Sequence, residues 1–451
     1  MNRRPSFAST STTPFTRRGL ITSGAGLVAG AALAGSGTLA GAQATPGASP
    51  ASSPVASPVA AVSKVAERAS GDVRVTGFWG EAELEQLEKV WAAFSEKYPN
   101  IKVNAEPISS DYLIKIQADI AAGNVADVFM VQNEYAQDFM SRSVLLSIDD
   151  YMTEDGIAKD EFYTPLVDAY TWQDKLYGLP KDWSPIAMVY DPDAFDAAGA
   201  SVPTTWEELR DTLTKLKDNK GTVQFALDPQ MARYVIWLFQ AGGSLTNPEV
   251  TEIELNSDAA KTALNEMYGL YKDGLSTPSA DIGAQWPGDA YGQGLTSVAF
   301  EGNWLFPSLA SDHPDRKYAI AELPAGPAGK GTPAFTTSYS IFSGSKNPDA
   351  AWVVVNFLTG PEGARIASEL GLAIPGRPDL EAGWLQLFPE RKPYVVAGTY
   401  AISVQYGPGG QKFQQDADAI LQSLWAGQIE PDAALQQVYD TAVSDITLTG
   451  Q

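Results

Sequence analysis

The order of apolar patterns between residues 73 and 131 constrains this chain most, because it commits the start of the folded body to alternating strands and helices. Val73-Arg74-Val75-Thr76-Gly77-Phe78-Trp79 reads as a strand that runs into a loop at Gly80. Leu84, Leu87, Trp91, Phe94 and Tyr98 then recur at steps of 3, 4, 3 and 4, which puts them on one face of a helix ended by Pro99. Residues 101–105 form a short alternating strand. A second helix runs from about Asp111 to Ala122 and closes at Gly123 in a left-handed cap. Residues 126–131 are a buried strand. Strand, helix, strand, helix, strand is an α/β pattern, and its sheet is expected to be largely parallel.

The remainder keeps alternating. Residues 186–190 and 296–300 read as strands. Thr205-Trp206-Glu207-Glu208 is a capping box opening a helix to about Lys217, and Ser257 caps another that ends near Gly274. Asn347-Pro348 opens a helix through Leu358, with proline at the favoured first position, and residues 361–370 form one more. The chain is helical again from about Gln411. No repeat with a period of 20–50 residues is present.

The N-terminal region reads as an address. Residues 1–44 hold Arg3, Arg4, Arg17 and Arg18 and no acid, and Thr16-Arg17-Arg18-Gly19-Leu20-Ile21 resembles the twin-arginine export signal of bacteria. The stretch from Leu20 to Ala40 is broken by five glycines, so it is poorer in Leu and Ile than a membrane anchor. Ala42-Gln43-Ala44 has the small-x-small form of a cleavage site, an uncleaved anchor being the alternative. A Pro/Ser/Ala-rich, flexible linker is expected over 45–71, with the folded body starting near Asp72. An exported, extracytoplasmic location follows from this reading.

Composition then removes whole classes of chemistry. The chain has 451 residues and no cysteine, which excludes disulfides, thiolate metal sites and cysteine nucleophiles. Its one histidine, His313, lies in a polar turn, reads as solvated, and rules out a multi-histidine metal site. The 54 acids against 31 bases give a net charge near −23, which argues against a nucleic-acid backbone or an anionic lipid surface as partner. No metal, cofactor or catalytic residue is expected.

Several segments together carry a family likeness. They are Val75 onward (VTGFWGE) ahead of the first helix; Ala126-Asp127-Val128-Phe129-Met130; Lys175-Leu176-Tyr177-Gly178-Leu179-Pro180-Lys181-Asp182-Trp183; Pro203-Thr204-Thr205-Trp206; Glu301-Gly302-Asn303-Trp304; and Lys346-Asn347-Pro348-Asp349-Ala350-Ala351-Trp352. In their order and spacing over residues 72–380 the chain resembles the extracytoplasmic solute-binding proteins of ABC sugar importers, in the group that includes trehalose/maltose- and other oligosaccharide-binding proteins. The resemblance implies a type II-like periplasmic-binding-protein fold: two α/β lobes joined by a hinge, with a ligand cleft between them that closes on the ligand. It implies lobe 1 over 72–186 plus 300–345 and lobe 2 over 187–299 plus 346–451. It implies a monomer that captures a neutral carbohydrate, a di- or oligosaccharide, and docks on membrane permease subunits.

A sugar offers apolar C–H faces and a ring of hydroxyls, so its site needs aromatic planes and flat polar groups. Trp79 and Glu81 follow the first strand at its carboxyl end, where open α/β sheets bind ligands; capping the first helix is the alternative for Trp79. Glu301 and Trp304 follow a later strand in the same way, and Trp304 is the leading stacking platform. Trp286 sits on a loop and is either site or plug. Gln132 and Asn133 follow the strand at 126–131, where related sugar binders carry an acid or amide; Asn133 could equally be a helix cap. By resemblance, Asp182 and Trp183 lie on the loop that meets ligand, Tyr339 stands where the family often has an aromatic after two glycines (absent here), and Arg377 matches an arginine that forks onto hydroxyls. Trp91, Trp206, Trp237, Trp352 and Trp425 fall on helix patterns and read as core. Two rival readings remain: an exported carbohydrate hydrolase with Asp182 and Glu301 as its carboxylate pair, and a polyamine binder with several cleft carboxylates.

Overall fold

The structure is a computed structural model describing residues 63–108, 110–247 and 250–448. The export signal expected over 1–44, and the linker as far as residue 62, lie outside the described residues. The ordered body starts before Asp72. Ser63 donates its hydroxyl to Asp155 at 2.7 Å, the Val65 N–H donates to the same carboxylate at 3.1 Å, and Val65 is wholly buried. Residues 63–71 therefore belong to a core instead of the linker, because Val65 and Ala69, four apart, both find apolar cover there.

Twelve strands are present among the described residues: β1 (Gly71–Gly77), β2 (Ile101–Pro107), β3 (Val128–Gln132), β4 (Thr171–Trp172), β5 (Lys175–Leu176), β6 (Gly178–Pro185), β7 (Ala187–Tyr190), β8 (Val298–Glu301), β9 (Ala319–Ala321), β10 (Thr332–Ile341), β11 (Ile374–Pro375) and β12 (Ala401–Ser403). A large sheet runs β11-β6-β10-β3-β1-β2, with β12 added beside β10; a small sheet runs β8-β7-β9, and β4 pairs with β5. The expected parallel arrangement holds for β1 with β2 and β3. It fails for β10, which is antiparallel to both β3 and β6, and for the whole small sheet. The local cause is the connection. Parallel neighbours need a crossover from within the same sheet, whereas β10 is delivered from the small sheet through residues 322–331.

Helix ends follow their sequence signals. Thr205 accepts the Glu208 N–H at 3.2 Å and Ser257 accepts that of Ala260 at 3.2 Å, while Gly123 takes φ 66° behind Tyr112–Ala122. Among the described residues no helix is long and apolar enough to cross a membrane.

The apolar side chains gather mainly into three cores. The first surrounds the large sheet and contains Val75, Phe94, Phe129 and Trp352; the second packs the helices Trp206–Lys220, Met231–Gln240, Asp258–Lys272, Gly410–Trp425 and Pro431–Asp445 around Trp237 and Phe300. The third, with Trp183, Tyr291 and Tyr394, lies at their junction. β7 and the residue before it serve two of them by alternation: Ile186 and Met188 enter the second core, Ala187 and Val189 the third. Of the helix tryptophans, Trp206, Trp237 and Trp425 lie in the second core and Trp352 in the first, with Trp91 packed on its rim.

This packing differs from the division implied by resemblance. The chain leaves the large sheet at Ile186, after β6. It returns at Thr332 and not near 300, because β9 still pairs with β7. It passes to the second core again near Val404 and not at 346, since the helices Pro348–Thr359 and Pro361–Ser368 pack on β10 and on Glu81–Lys97 in the first. His313 is also less solvated than its turn suggested, lying half-buried against Gly292 with Nε2 4.0 Å from Asp289.

Candidate functional site

Strand register brings two candidate residues, Gln132 and Asp182, into one row. Gln132 on β3 faces Thr337 on β10, which faces Asp182 on β6, which faces Pro375 on β11. In-register residues share a sheet face, so Gln132 and Asp182 flank Thr337 from either side. β6 bulges here: Thr337 pairs with Asp182 but Ser338 with Pro180, leaving Lys181 as an extra residue. The bulge turns Lys181 toward its neighbour. Its ammonium bonds the Asp182 carboxylate and lies 3.4 Å from that of Glu83, at 12 % side-chain exposure. Burial alone would pull the Lys181 pKa down, but the charges of Asp182 and Glu83 outweigh it and hold the ammonium above its ordinary value. Glu83 is pushed up by burial despite Lys181. A small crevice of about 40 Å³ opens beside them, lined also by Gln86, Tyr339, Ala367 and Leu372.

A second centre forms where β8 ends. Glu301 is wholly buried; Arg233 donates to its Oε1 at 2.6 Å and the indole N–H of Trp304 to its Oε2 at 2.8 Å. Arg233 also donates to the Phe300 carbonyl at 2.9 Å, and Tyr394 to that of Glu301 at 2.8 Å. Burial raises the Glu301 pKa, with Arg233 and Trp304 opposing. The Trp304 ring lies across Gly302, where any Cβ would collide with it, and meets Phe335 of β10 edge-on with ring centroids 5.8 Å apart. Trp304 is partly buried, packed against the second core. An indole pinned in this way is suited to stacking on the C–H face of a pyranose, while its carboxylate partner is already held by a cation and a donor. Asn303 ties this centre to the large sheet, donating its backbone N–H to the Ser184 hydroxyl at 2.9 Å.

The structure does not bring every expected residue to these two centres. Trp79 is 1 % exposed, folded back over Gly77 and Met130 in the first core, so it is packing and not a platform. Trp183 is 5 % exposed in the third core, against Tyr163 and Gly398, and is likewise withdrawn. Asn133 is neither ligand group nor cap. It accepts the Thr336 N–H at 3.1 Å and donates to the carbonyls of Val404 at 2.6 Å and Ala334 at 3.2 Å, clamping two chain passages. Arg377 is 6 % exposed, bonded to Glu161 at 2.8 Å and Asp379 at 3.1 Å and lying over Phe162, so its fork is closed. Trp286 precedes the helix Pro287–Gly292 with its ring over Gly288, packed against the third core. Tyr339 is buried at the crevice wall, and Glu81 is exposed at the first position of Glu81–Lys97.

Sequence reasoning missed Arg233, Lys181, Glu83 and Phe335. Arg233 had a usable signal, as a lone cation on the otherwise apolar helix Met231–Gln240, which demands a buried partner. Lys181 had none, because a bulge is a matter of pairing.

Comparisons with known proteins agree with this architecture. Residues 80–365 match the family described as bacterial extracellular solute-binding protein. A protein of Brucella abortus (strain 2308) described as a binding protein is 27 % identical over 380 residues, covering 81 % of this chain and 91 % of its own. The galactooligosaccharide-binding protein of Bacillus subtilis (strain 168) is 24 % identical over 386 residues, 82 % of this chain and 88 % of its own. Among solved structures, an ABC substrate-binding protein of Listeria monocytogenes in complex with cycloalternan superposes with a TM-score of 0.77 at 24 % identity, over 83 % of this chain and 98 % of that one. The fold is the two-lobed one of maltose-binding-like proteins.

Proposed function

The chain belongs to the family of bacterial extracellular solute-binding proteins, and we propose that its solute is a sugar, a di- or oligosaccharide, held between the two cores and passed to the membrane permease of an ABC importer when they close on it. The observation that carries this reading is the partly buried Trp304 indole, fixed by a buried carboxylate at the end of β8 and facing Phe335 of the other sheet. Fixing an indole in advance lowers the ordering cost of stacking a sugar on it. The row Gln132, Thr337 and Asp182 supplies short polar groups suited to hydroxyls. The galactooligosaccharide and cycloalternan of the two sugar-binding relatives belong to the same ligand class.

The reading includes no bond making. The hydrolase alternative needed Asp182 and Glu301 as a free pair, yet Asp182 is engaged by Lys181 and Glu301 by Arg233 and Trp304, on different sheets. It includes export by the twin-arginine route and action as a monomer. A thermal-shift panel of maltose, trehalose, maltotriose and a galactooligosaccharide tests it. A true ligand at 100 times its Kd adds about 2.7 kcal/mol of stability. A panel in which no saccharide moves the melt, with scattering showing no compaction, refutes it.

A further inference from the structure

A third set of polar groups joins the first and second cores, away from the two centres above. Glu134 projects from the helix Asn133–Ser141, whose Tyr135 and Phe139 sit in the first core. It meets Gln414 on the helix Gly410–Trp425, whose Phe413 and Leu421 sit in the second, and Gln414 hydrogen-bonds its carboxylate. One turn further on, Asp418 accepts the backbone N–H of Met231 at 2.6 Å. Among the described residues neither carboxylate has a cationic partner. The cations of the flanking elements are engaged elsewhere: Lys412 by Asp416 and Asp445, Arg142 by Asp138, Arg233 by Glu301.

Beside both acids lies Tyr406. It is wholly buried, its hydroxyl has no hydrogen-bond partner among the described residues, and it is within electrostatic reach of both Glu134 and Asp418. A buried hydroxyl left without a partner costs about 1–3 kcal/mol, so something absent from the chain is expected to satisfy it. Glu134 and Asp418 each keep partial exposure. Desolvation pushes Glu134 up to about 7, against the Gln414 hydrogen bond, and Asp418 up to about 6, against the Met231 bond. A neutral hydroxyl would satisfy Tyr406 but leave two desolvated carboxylates uncompensated. An ammonium carries three donors and no acceptor, and here it finds two carboxylates and one phenolic oxygen.

We propose that the junction of these helices takes a primary ammonium group carried by the saccharide, held by Glu134, Asp418 and the hydroxyl of Tyr406. This rests on the sugar-capture reading and narrows it to amino sugars. Isothermal titration of the full mature chain tests both at once, with a glucosamine disaccharide, its N-acetylated counterpart, maltose and spermidine. The expected result is that the free amine binds at least tenfold tighter than the acetylated sugar and maltose. Glu134→Gln and Asp418→Asn should each cost about tenfold for the amine and leave the acetylated sugar within twofold, and melting of each unliganded variant verifies that it is folded. Neutral sugars binding as tightly as the amine would overturn the ammonium assignment and leave sugar capture standing. Spermidine binding with no saccharide bound would overturn sugar capture and with it an amino sugar as ligand. No binding in any arm would overturn both.

Discussion

Removing Arg233 should unbalance the buried carboxylate that positions Trp304. Glu301 is wholly buried and Arg233 keeps 13 % side-chain exposure, so Arg233→Met removes the one cation that the described residues pair with this buried carboxylate. Losing one partner of a buried pair costs about 3–5 kcal/mol. For a body of this size that lowers Tm by about 5 °C. Burial already raises the Glu301 pKa with Arg233 in place, and without the guanidinium it rises further. A group raised in the folded state favours folding fully below its unfolded value and loses that contribution as pH climbs through its folded value. The deficit of the variant should therefore be small at pH 5 and large at pH 8. Glu301→Gln keeps an acceptor for the Trp304 indole and should cost about 1–3 kcal/mol. The double variant should recover about 2 kcal/mol of the summed losses, since no charge is then left unpaired. Denaturant melts of all four proteins at both pH values measure this. Additive losses, or a deficit independent of pH, would show that the pair does not carry the centre.

Trp304→Ala should abolish any saccharide-induced thermal shift while costing the unliganded protein about 1–3 kcal/mol, because the ring is only half-buried; calorimetry against the same sugars reads both. Trp79→Ala and Trp183→Ala should behave oppositely, losing about 3–5 kcal/mol from their cores at ~1 % and ~5 % exposure while retaining affinity when assayed well below their melts. Asn133→Ala leaves the Thr336 N–H and the Val404 carbonyl without their partner and should cost about 2–4 kcal/mol, whereas Gln132→Ala should stay within about 0.5 kcal/mol in urea melts. Glu134→Gln should stabilise the unliganded protein at pH 8, by at most about 3 kcal/mol, and much less at pH 5, because Glu134 at about 7 is ionised only in the first case; Asp418, Gln414 and Tyr406 are the groups facing it.

Local structure was legible because its causes are local. The steps of Leu84, Leu87, Trp91, Phe94 and Tyr98, and the Gly123 cap, act within a few residues and reappear as Glu81–Lys97 and Tyr112–Ala122. The direction of β10 was not legible, since which strands it pairs with is decided across some 150–200 residues by the packing of both bodies. The site divided the same way. Position after a strand end placed Glu301 and Trp304 together, but the same rule placed Trp79 beside ligand, and it failed there because nothing in the sequence tells whether an indole after a strand folds back over a glycine. Arg377 shows the limit of resemblance. A matching position fixes the backbone, whereas Glu161 and Asp379, particular to this chain, decide where the fork goes.

The chain passes between the first and second cores at Ile186, before Thr332 and near Val404, so each half is assembled from separated pieces of the polypeptide. A protease that nicks one of these passages would leave two tethers intact, and the nicked product should still run as a single particle and still open and shut. Neither half can be produced as one uninterrupted gene fragment, and a ribosome must release nearly the entire polypeptide before either half has all its parts.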